Sequence, residues 1–323
     1  MEVVVTGGCG YIGSHVARAF KQNGDKVFIV DRVQRNHTLK DMDGWLIDDF
    51  ASDAALSAIY YFDPDIIVHC AGTSLVGPSI TNPAEYYDNN ITKTLELLDF
   101  VKGFKKTPKL MFSSSASVYG EPDSVPIPES AKKNPISPYG NTKYVSELMF
   151  RDYSRAYGLD IMCFRYFNAA GACPITHDLG QEPGATHIVA RALEASISKQ
   201  PFIINGRTYV TLDGTCVRDY VHVWDIALAH VRGAGHFDYF DDDRNSIFQV
   251  YNLGTNAGVS NLEIATYVQD KYGLEILFGE PRSGDPAILI ADATLARQEL
   301  GWEPVNSGIK QIIDDAYAWY TRS

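Results

Sequence analysis

"VVVTGGCGYIGSH", residues 3 to 15, sets glycines at positions 7, 10 and 13 between a short apolar run and an amphipathic one. Three successive valines read as a strand buried on both faces. The stretch "YIGSHVARAFKQNG" that follows places Ile12, Val16 and Phe20 on one helical face and ends at Gly24, a good C-cap. Glycines at such a strand-to-helix turn have separate physical tasks. Gly7 permits the tight turn, Gly10 lets a pyrophosphate approach the backbone, and Gly13 lets the helix pack on the strand. The amides of the first helical turn, which contains Tyr11 and Ile12, then face the phosphates with the helix dipole behind them. Asp31 ends the next apolar run, "KVFIVD", 18 residues after Gly13, where a carboxylate accepts both ribose hydroxyls of adenosine. Arg32 could meet a 2′-phosphate, but Asp31 would repel that phosphate at short range. NAD is therefore expected as cofactor rather than NADP.

The same alternation continues along the first half of the chain. "DIIVHCAG" at 65, "KLMFSSS" at 109 and "DIMCFRYF" at 160 read as further buried parallel strands. Between them "NITKTLELLDFVKGF" reads as a helix with Ile91, Leu95, Leu98 and Val101 on one face. This pattern predicts an α/β fold: a Rossmann-type doubly wound parallel sheet with a smaller, mixed α/β C-terminal domain for the substrate. The expected division is 1–170 for the cofactor domain, with segments at about 215–255 returning to it, and 171–323 mainly for the substrate.

Composition narrows the classes of function. The 323 residues carry a formal charge of −12, which speaks against binding a nucleic-acid backbone. No run reaches the ~18 apolar residues of a membrane span. The N-terminus enters a strand at once, leaving no room for a signal peptide. Cysteines 9, 70, 163, 173 and 216 show no paired metal-ligand spacing. They read as reduced residues of a cytoplasmic protein, with no metal site expected.

A possible chemical centre follows the run at 109. The strand ends on Ser113, Ser114 and Ser115, and "SPYGNTK" at 137 to 143 sets Tyr139 and Lys143 four residues apart on one helical face. A tyrosine with a free pKa of ~10 is a poor base at neutral pH unless cations beside it favour the phenolate. A lysine ammonium and a cationic nicotinamide are such neighbours. Tyrosinate can then take a proton from a sugar hydroxyl while the attached carbon gives up hydride.

With its Gly-x-x-Gly-x-x-Gly spacing, "DDF" at 48–50, "HCAG" at 69–72 and the Tyr-x-x-x-Lys pair, the chain resembles the extended short-chain dehydrogenase/reductase superfamily. Within it, "NPAEYYDNN", "SSSASVYGEP", "RYFNAAGA", "DGTCVRDYVHVWD", "YNLGT" and "RSGDPA" resemble the UDP-glucose 4-epimerases over nearly the whole length. The resemblance implies Ser115, Tyr139 and Lys143 as catalytic. It further implies Asp49, Phe50, Ala71, Gly72, Asn89, Ser113, Tyr139, Lys143 and Tyr166 beside NAD, with Ser114 also near it. Asn168, His187, Arg218, Arg282 and Asp285, together with Ser115 and Tyr139, would meet a UDP-sugar. His222 reads as structural. Departures from the family pattern are Ser74 where many members carry lysine, His187 where some carry asparagine, and Leu289 at a pocket gate. The implied reaction inverts carbon 4 of a UDP-hexose, with UDP-N-acetylglucosamine or a UDP-pentose as alternative substrates. Dehydratases and decarboxylases of the superfamily need an acid after the serines, and positions 116 and 117 are alanine and serine. A catalytically silent NAD sensor would be expected to lose Tyr139 or Lys143. Family members pair through the two helices at about 90–104 and 139–157, so a homodimer is expected.

Overall fold

A computed structural model of the chain describes residues 1–237, 246–281 and 286–322. Its centre is a seven-stranded sheet. In chain order the strands are Glu2–Thr6, Lys26–Asp31, Gly44–Ile47, Ile66–His69, Lys109–Ser115, Ile161–Tyr166 and Phe248–Leu253. Their spatial order is 3-2-1-4-5-6-7, with every neighbouring pair parallel. The order reverses between the first and fourth strands, and the crevice at such a switch point is where open α/β sheets bind ligands. Five of the seven strands match the apolar runs read above. The other two, "GWLI" and "FQVYNL", are short or only partly apolar because they lie at the two edges.

Helices cover both faces. Tyr11–Gln22 packs with Val223–His236 on one side, where Val16, Phe20, Ile226 and Ala229 are buried with Val3, Val5 and Ile29. On the other side Leu97, Leu98, Val101 and Phe150 close over Val4, Ile67 and Leu110. The helix expected around 91–105 begins as a wide π turn, Asp88–Thr92, and continues as Lys93–Val101. Its buried stripe is Thr94, Leu97, Leu98 and Val101, while Leu95 lies on the shoulder and stays 38% exposed.

The C-terminal part is built from helices Ile188–Ser198, Asn261–Tyr272 and Ile309–Thr321 with short strand pairs. Val189, Leu193, Phe202, Ile264, Val268 and Ile312 form its own core. Three backbone pairings bring it to the carboxyl edge of the large sheet. Asn168–Ala170 pairs with Tyr220–His222, and Val217–Arg218 lies between Val259–Ser260 and Ile288–Leu289. Among the described residues no helix is long and apolar enough to cross a membrane.

Candidate active site

The glycine turn has the geometry that its sequence requires. Gly7 adopts a positive φ of 71°, and a Cβ on it would stand 2.6 Å from the Ala71 amide nitrogen. At Gly13 a Cβ would lie 2.2 Å from the Gly7 carbonyl oxygen, so helix and strand meet only without a side chain there. The helix begins at Tyr11 with Gly10 as an N-cap that carries no capping side chain and with no acidic residue in its first turn. Its first amides therefore remain for an anion. Tyr11 is anchored by its hydroxyl, which donates to the Gly171 carbonyl at 2.8 Å, and Ile12 packs against the core.

Beyond this turn a cleft of about 220 Å³ runs along the switch point, lined in part by Gly10, Asp31, Asp48, Phe50, Gly72 and Asn89. Asp31 accepts one hydrogen bond on each carboxylate oxygen, from the amides of Cys9 at 2.8 Å and Val33 at 2.9 Å. Each oxygen keeps a second lone pair for a sugar hydroxyl. Arg32 is drawn instead toward Asp49, at 4.0 Å, with over half its side chain exposed. Asp49 also accepts from Lys93 at 2.7 Å, and Lys93 reaches back to Asn89 at 3.0 Å. These cations hold the Asp49 carboxyl below its ordinary range against the opposing effect of burial. Asp48, rather than Asp49, faces the cleft beside Phe50. A glycine cradle, bare helix amides and a ribose-height carboxylate together fit a dinucleotide.

The serine strand alternates its side chains. Ser113 hydrogen-bonds Tyr166 at 2.9 Å. Ser114 points to the other face, where it donates to Glu147 inside the buried Glu147–Arg165 ion pair. It therefore stands away from the cofactor position expected for it. Pleating makes this unavoidable, since neighbours in a strand face opposite ways. Ser115 caps the short turn Ala116–Val118, and its Oγ accepts from the Ser117 amide and donates to Ser117 Oγ, both at 3.2 Å.

Tyr139 and Lys143 come from the helix Pro138–Tyr157, started by Pro138 and by Ser137, whose Oγ accepts the Gly140 amide at 3.1 Å. Gly140 lets this helix touch the serine turn: a Cβ there would come 2.6 Å from the Ser117 carbonyl oxygen. Tyr139 and Lys143 are both buried. Lys143 Nζ donates to the Ser113 carbonyl at 2.8 Å and sits 4.7 Å from the Phe112 ring centre. A Cβ on Gly72 would lie 3.9 Å from that nitrogen, which puts the lysine at the inner end of the cofactor cleft.

The electrostatics of the ligand-free protein differ from the sequence expectation. Burial raises the Tyr139 phenol, and the hydrogen bond with Ser115 only partly opposes this. Burial also pulls Lys143 down to about 8. Desolvation outweighs pair attraction here because both groups have left water.

Asn168 pairs with Tyr220, two residues beyond Arg218, and its amide donates to the Asp219 carbonyl at 2.9 Å. Arg218 is buried, donates to the Val217 carbonyl at 2.9 Å, and lies in register with Leu289. His187 is exposed and opens the helix Ile188–Ser198, its ring 3.3 Å from Gln181. Arg282 and Asp285 lie outside the described residues. His222 is fully buried, accepts the Trp224 amide on Nδ1 and meets Asp315 at 3.2 Å, a structural position. Sequence reasoning passed over Lys93, Glu147, Arg165 and His230. The first two carried a signal, each standing four residues after a chosen site residue, Asn89 and Lys143.

Comparison with known proteins agrees with this architecture. A UDP-glucose 4-epimerase of Halalkalibacterium halodurans is 37% identical, the alignment covering 99% of this chain and 96% of the relative. The structure of UDP-glucose 4-epimerase from Brucella ovis in complex with NAD superimposes with a TM-score of 0.91 at 36% identity, over 98% of this chain and 97% of that one. The enzyme from Stenotrophomonas maltophila, with NAD and formylated UDP-arabinopyranose bound, gives 0.90 at 32% identity, covering 99% and 97%. The model of the NAD dependent epimerase/dehydratase family matches residues 3–254, and with relatives aligned from end to end the chain belongs to that family.

Proposed function

We propose that the chain inverts carbon 4 of a UDP-hexose, interconverting UDP-glucose and UDP-galactose with NAD as its cofactor. The observation that carries this reading is the meeting of Ser115, Tyr139 and Lys143 at the inner end of a cleft whose other end is a glycine cradle. Gly7, Gly10, Tyr11, Ile12, Gly13, Asp31, Phe50, Ala71, Gly72, Asn89, Ser113 and Tyr166 hold the cofactor in this reading, with Asp48 in the place expected for Asp49. When bound, NAD accepts a hydride from the sugar and later returns it. Tyr139 takes the 4-hydroxyl proton, with Ser115 orienting that oxygen, and Lys143 supplies the positive charge that brings the buried phenol down. The resulting 4-keto sugar turns about its diphosphate link and takes the hydride on its other face, while Tyr139 returns the proton. This division requires firm holding of UDP and loose holding of the hexose. Arg218, Arg282 and Asp285 hold the nucleotide, and Asn168 and His187 border the sugar. Residues 1–170 with about 215–255 form the cofactor part, and 171–323 mainly the substrate part.

The test is incubation of the protein with UDP-glucose, UDP-N-acetylglucosamine or UDP-xylose, following the anomeric proton signals. Appearance of UDP-galactose is the expected result. Conversion of only the acetamido sugar or only the pentose would replace the substrate and keep the mechanism, whereas loss of water or carbon dioxide would replace the reaction. The same reading includes a homodimer formed through the helices near 90–104 and 139–157, supported by exposed Leu95, Tyr87 and Tyr157. Light scattering should give twice the chain mass of 35.8 kDa, and a value near that mass itself would overturn the pairing.

A further inference from the structure

Beneath Lys143 lies a line of buried polar side chains whose hydrogen-bond directions can be worked out one from another. His230, in the helix Val223–His236, is completely buried, with Nδ1 2.9 Å from the Ile226 carbonyl oxygen. A carbonyl only accepts, so Nδ1 carries the ring hydrogen. Burial keeps the imidazole neutral, pulled down to about 4, which leaves Nε2 as a bare acceptor. The Tyr166 hydroxyl, 2.9 Å from Nε2, must then be the donor. Its oxygen in turn receives the single hydrogen of Ser113 at 2.9 Å. Cys70 Sγ lies 3.1 Å from Ser113 Oγ. Ser113 also accepts Lys143 through its backbone carbonyl.

On the epimerase reading above, we propose that His230 is a positioning residue of the reaction. By accepting the Tyr166 proton it sets a one-way chain of donors, Ser113 to Tyr166 to His230, that leaves the ionisation to Tyr139. Tyr166 is a second phenol beside the reacting centre, in strand register with Ser115. A cationic cofactor ring and the Lys143 ammonium favour every nearby anion, the Tyr166 phenolate and the Cys70 thiolate included. The hydrogen that Ser113 gives Tyr166 favours that phenolate, but a Tyr166 phenolate would face the bare lone pair of Nε2. His230 thereby acts in the same direction as burial, which raises Tyr166 well above its ordinary range.

The test combines spectroscopy with kinetics on the protein carrying its bound nucleotide. Histidine ring ¹⁵N spectra between pH 6 and 9, with the His230 signals identified by their loss in His230→Gln, should show a non-titrating Nδ1–H tautomer. Tyr166→Phe and His230→Phe should each lower kcat for UDP-glucose by roughly tenfold or more, with KM nearly unchanged and, in His230→Phe, nucleotide content normal. The double variant should be no worse than the poorer single one, and His230→Gln, whose amide oxygen can accept the same proton, should recover most of the rate. An Nε2–H tautomer, titration of His230 in this range, unchanged kcat in Tyr166→Phe, or losses that multiply in the double variant would each overturn the proposal. If His230→Phe fails to fold, Tyr166→Phe and the spectra still decide. If UDP-glucose is not a substrate, the epimerase reading falls, while the tautomer still reports on the hydrogen-bond chain by itself.

Discussion

Two side chains of one helix face show how much the surroundings decide. Tyr139 is buried, and its phenol is raised where a base is wanted. Removing its hydroxyl in Tyr139→Phe should leave folding and nucleotide binding intact while turnover falls ~10²–10⁴-fold, the usual cost of losing a placed acid/base group. Steady-state assays beside melting curves check this. Lys143 carries a stability cost. Its folded pKa of about 8 lies below its ordinary 10.5, so the folded chain binds fewer protons between those values. The cost is fully present below pH 8, at about 3 kcal/mol, and fades as pH rises to 10.5. Nucleotide-free Lys143→Met should therefore melt above the wild type at pH 7, less so after the lost bond to the Ser113 carbonyl. That gap should narrow by pH 10, and thermal melts at both pH values read it directly.

At the scale of elements, the contact between the helix Pro138–Tyr157 and the serine turn is the one that sets Tyr139 beside Ser115. Gly140→Ala would drive a methyl against the Ser117 carbonyl. Such overpacking costs about 1–3 kcal/mol, and turnover should fall with it because Tyr139 is the preceding residue. Gly158, at the far end of the same helix, has a φ of 73° and open space around it. Gly158→Ala should cost about 1–2 kcal/mol and leave kcat unchanged, which separates placement from stability. Much at this scale was legible in the sequence. Five strands announced themselves as continuous apolar runs, and the glycine turn named its own conformation. The edge strands Gly44–Ile47 and Phe248–Leu253 did not, because an edge needs less burial and so leaves a weaker pattern. The Tyr139–Lys143 pair stood out only through the serine run and the glycine turn beside its helical spacing, since that spacing is common by chance. His230 was not, because its role depends on which atom faces Tyr166, and that is fixed only when helix and sheet pack.

Over the whole molecule, His15, His69 and His230 are buried and neutral, pulled down to about 4, 3 and 4. A folded pKa below the ordinary 6.5 means that unfolding takes up protons, so stability falls as pH drops through 6.5. Each histidine then withdraws roughly 2 kcal/mol by pH 5. Urea midpoints measured at pH 7 and pH 5 should differ accordingly, and replacing His69 by asparagine should reduce the difference.

The seventh strand of the sheet, Phe248–Leu253, pairs directly with the sixth, Ile161–Tyr166, although some 80 residues, the helix Ile188–Ser198 among them, lie between them in the chain. During synthesis at ~5–20 residues per second, the sixth strand therefore waits on the order of ten seconds for its partner. Throughout that interval a buried, hydrophobic strand presents open N–H and C=O groups to its surroundings, the condition that invites sticking between nascent chains. The apparent boundary near residue 170 is thus a poor place to cut. A fragment ending there keeps the whole glycine cradle and the Tyr139–Lys143 pair, yet it leaves the ribosome with an unfinished sheet edge and should collect in the insoluble fraction.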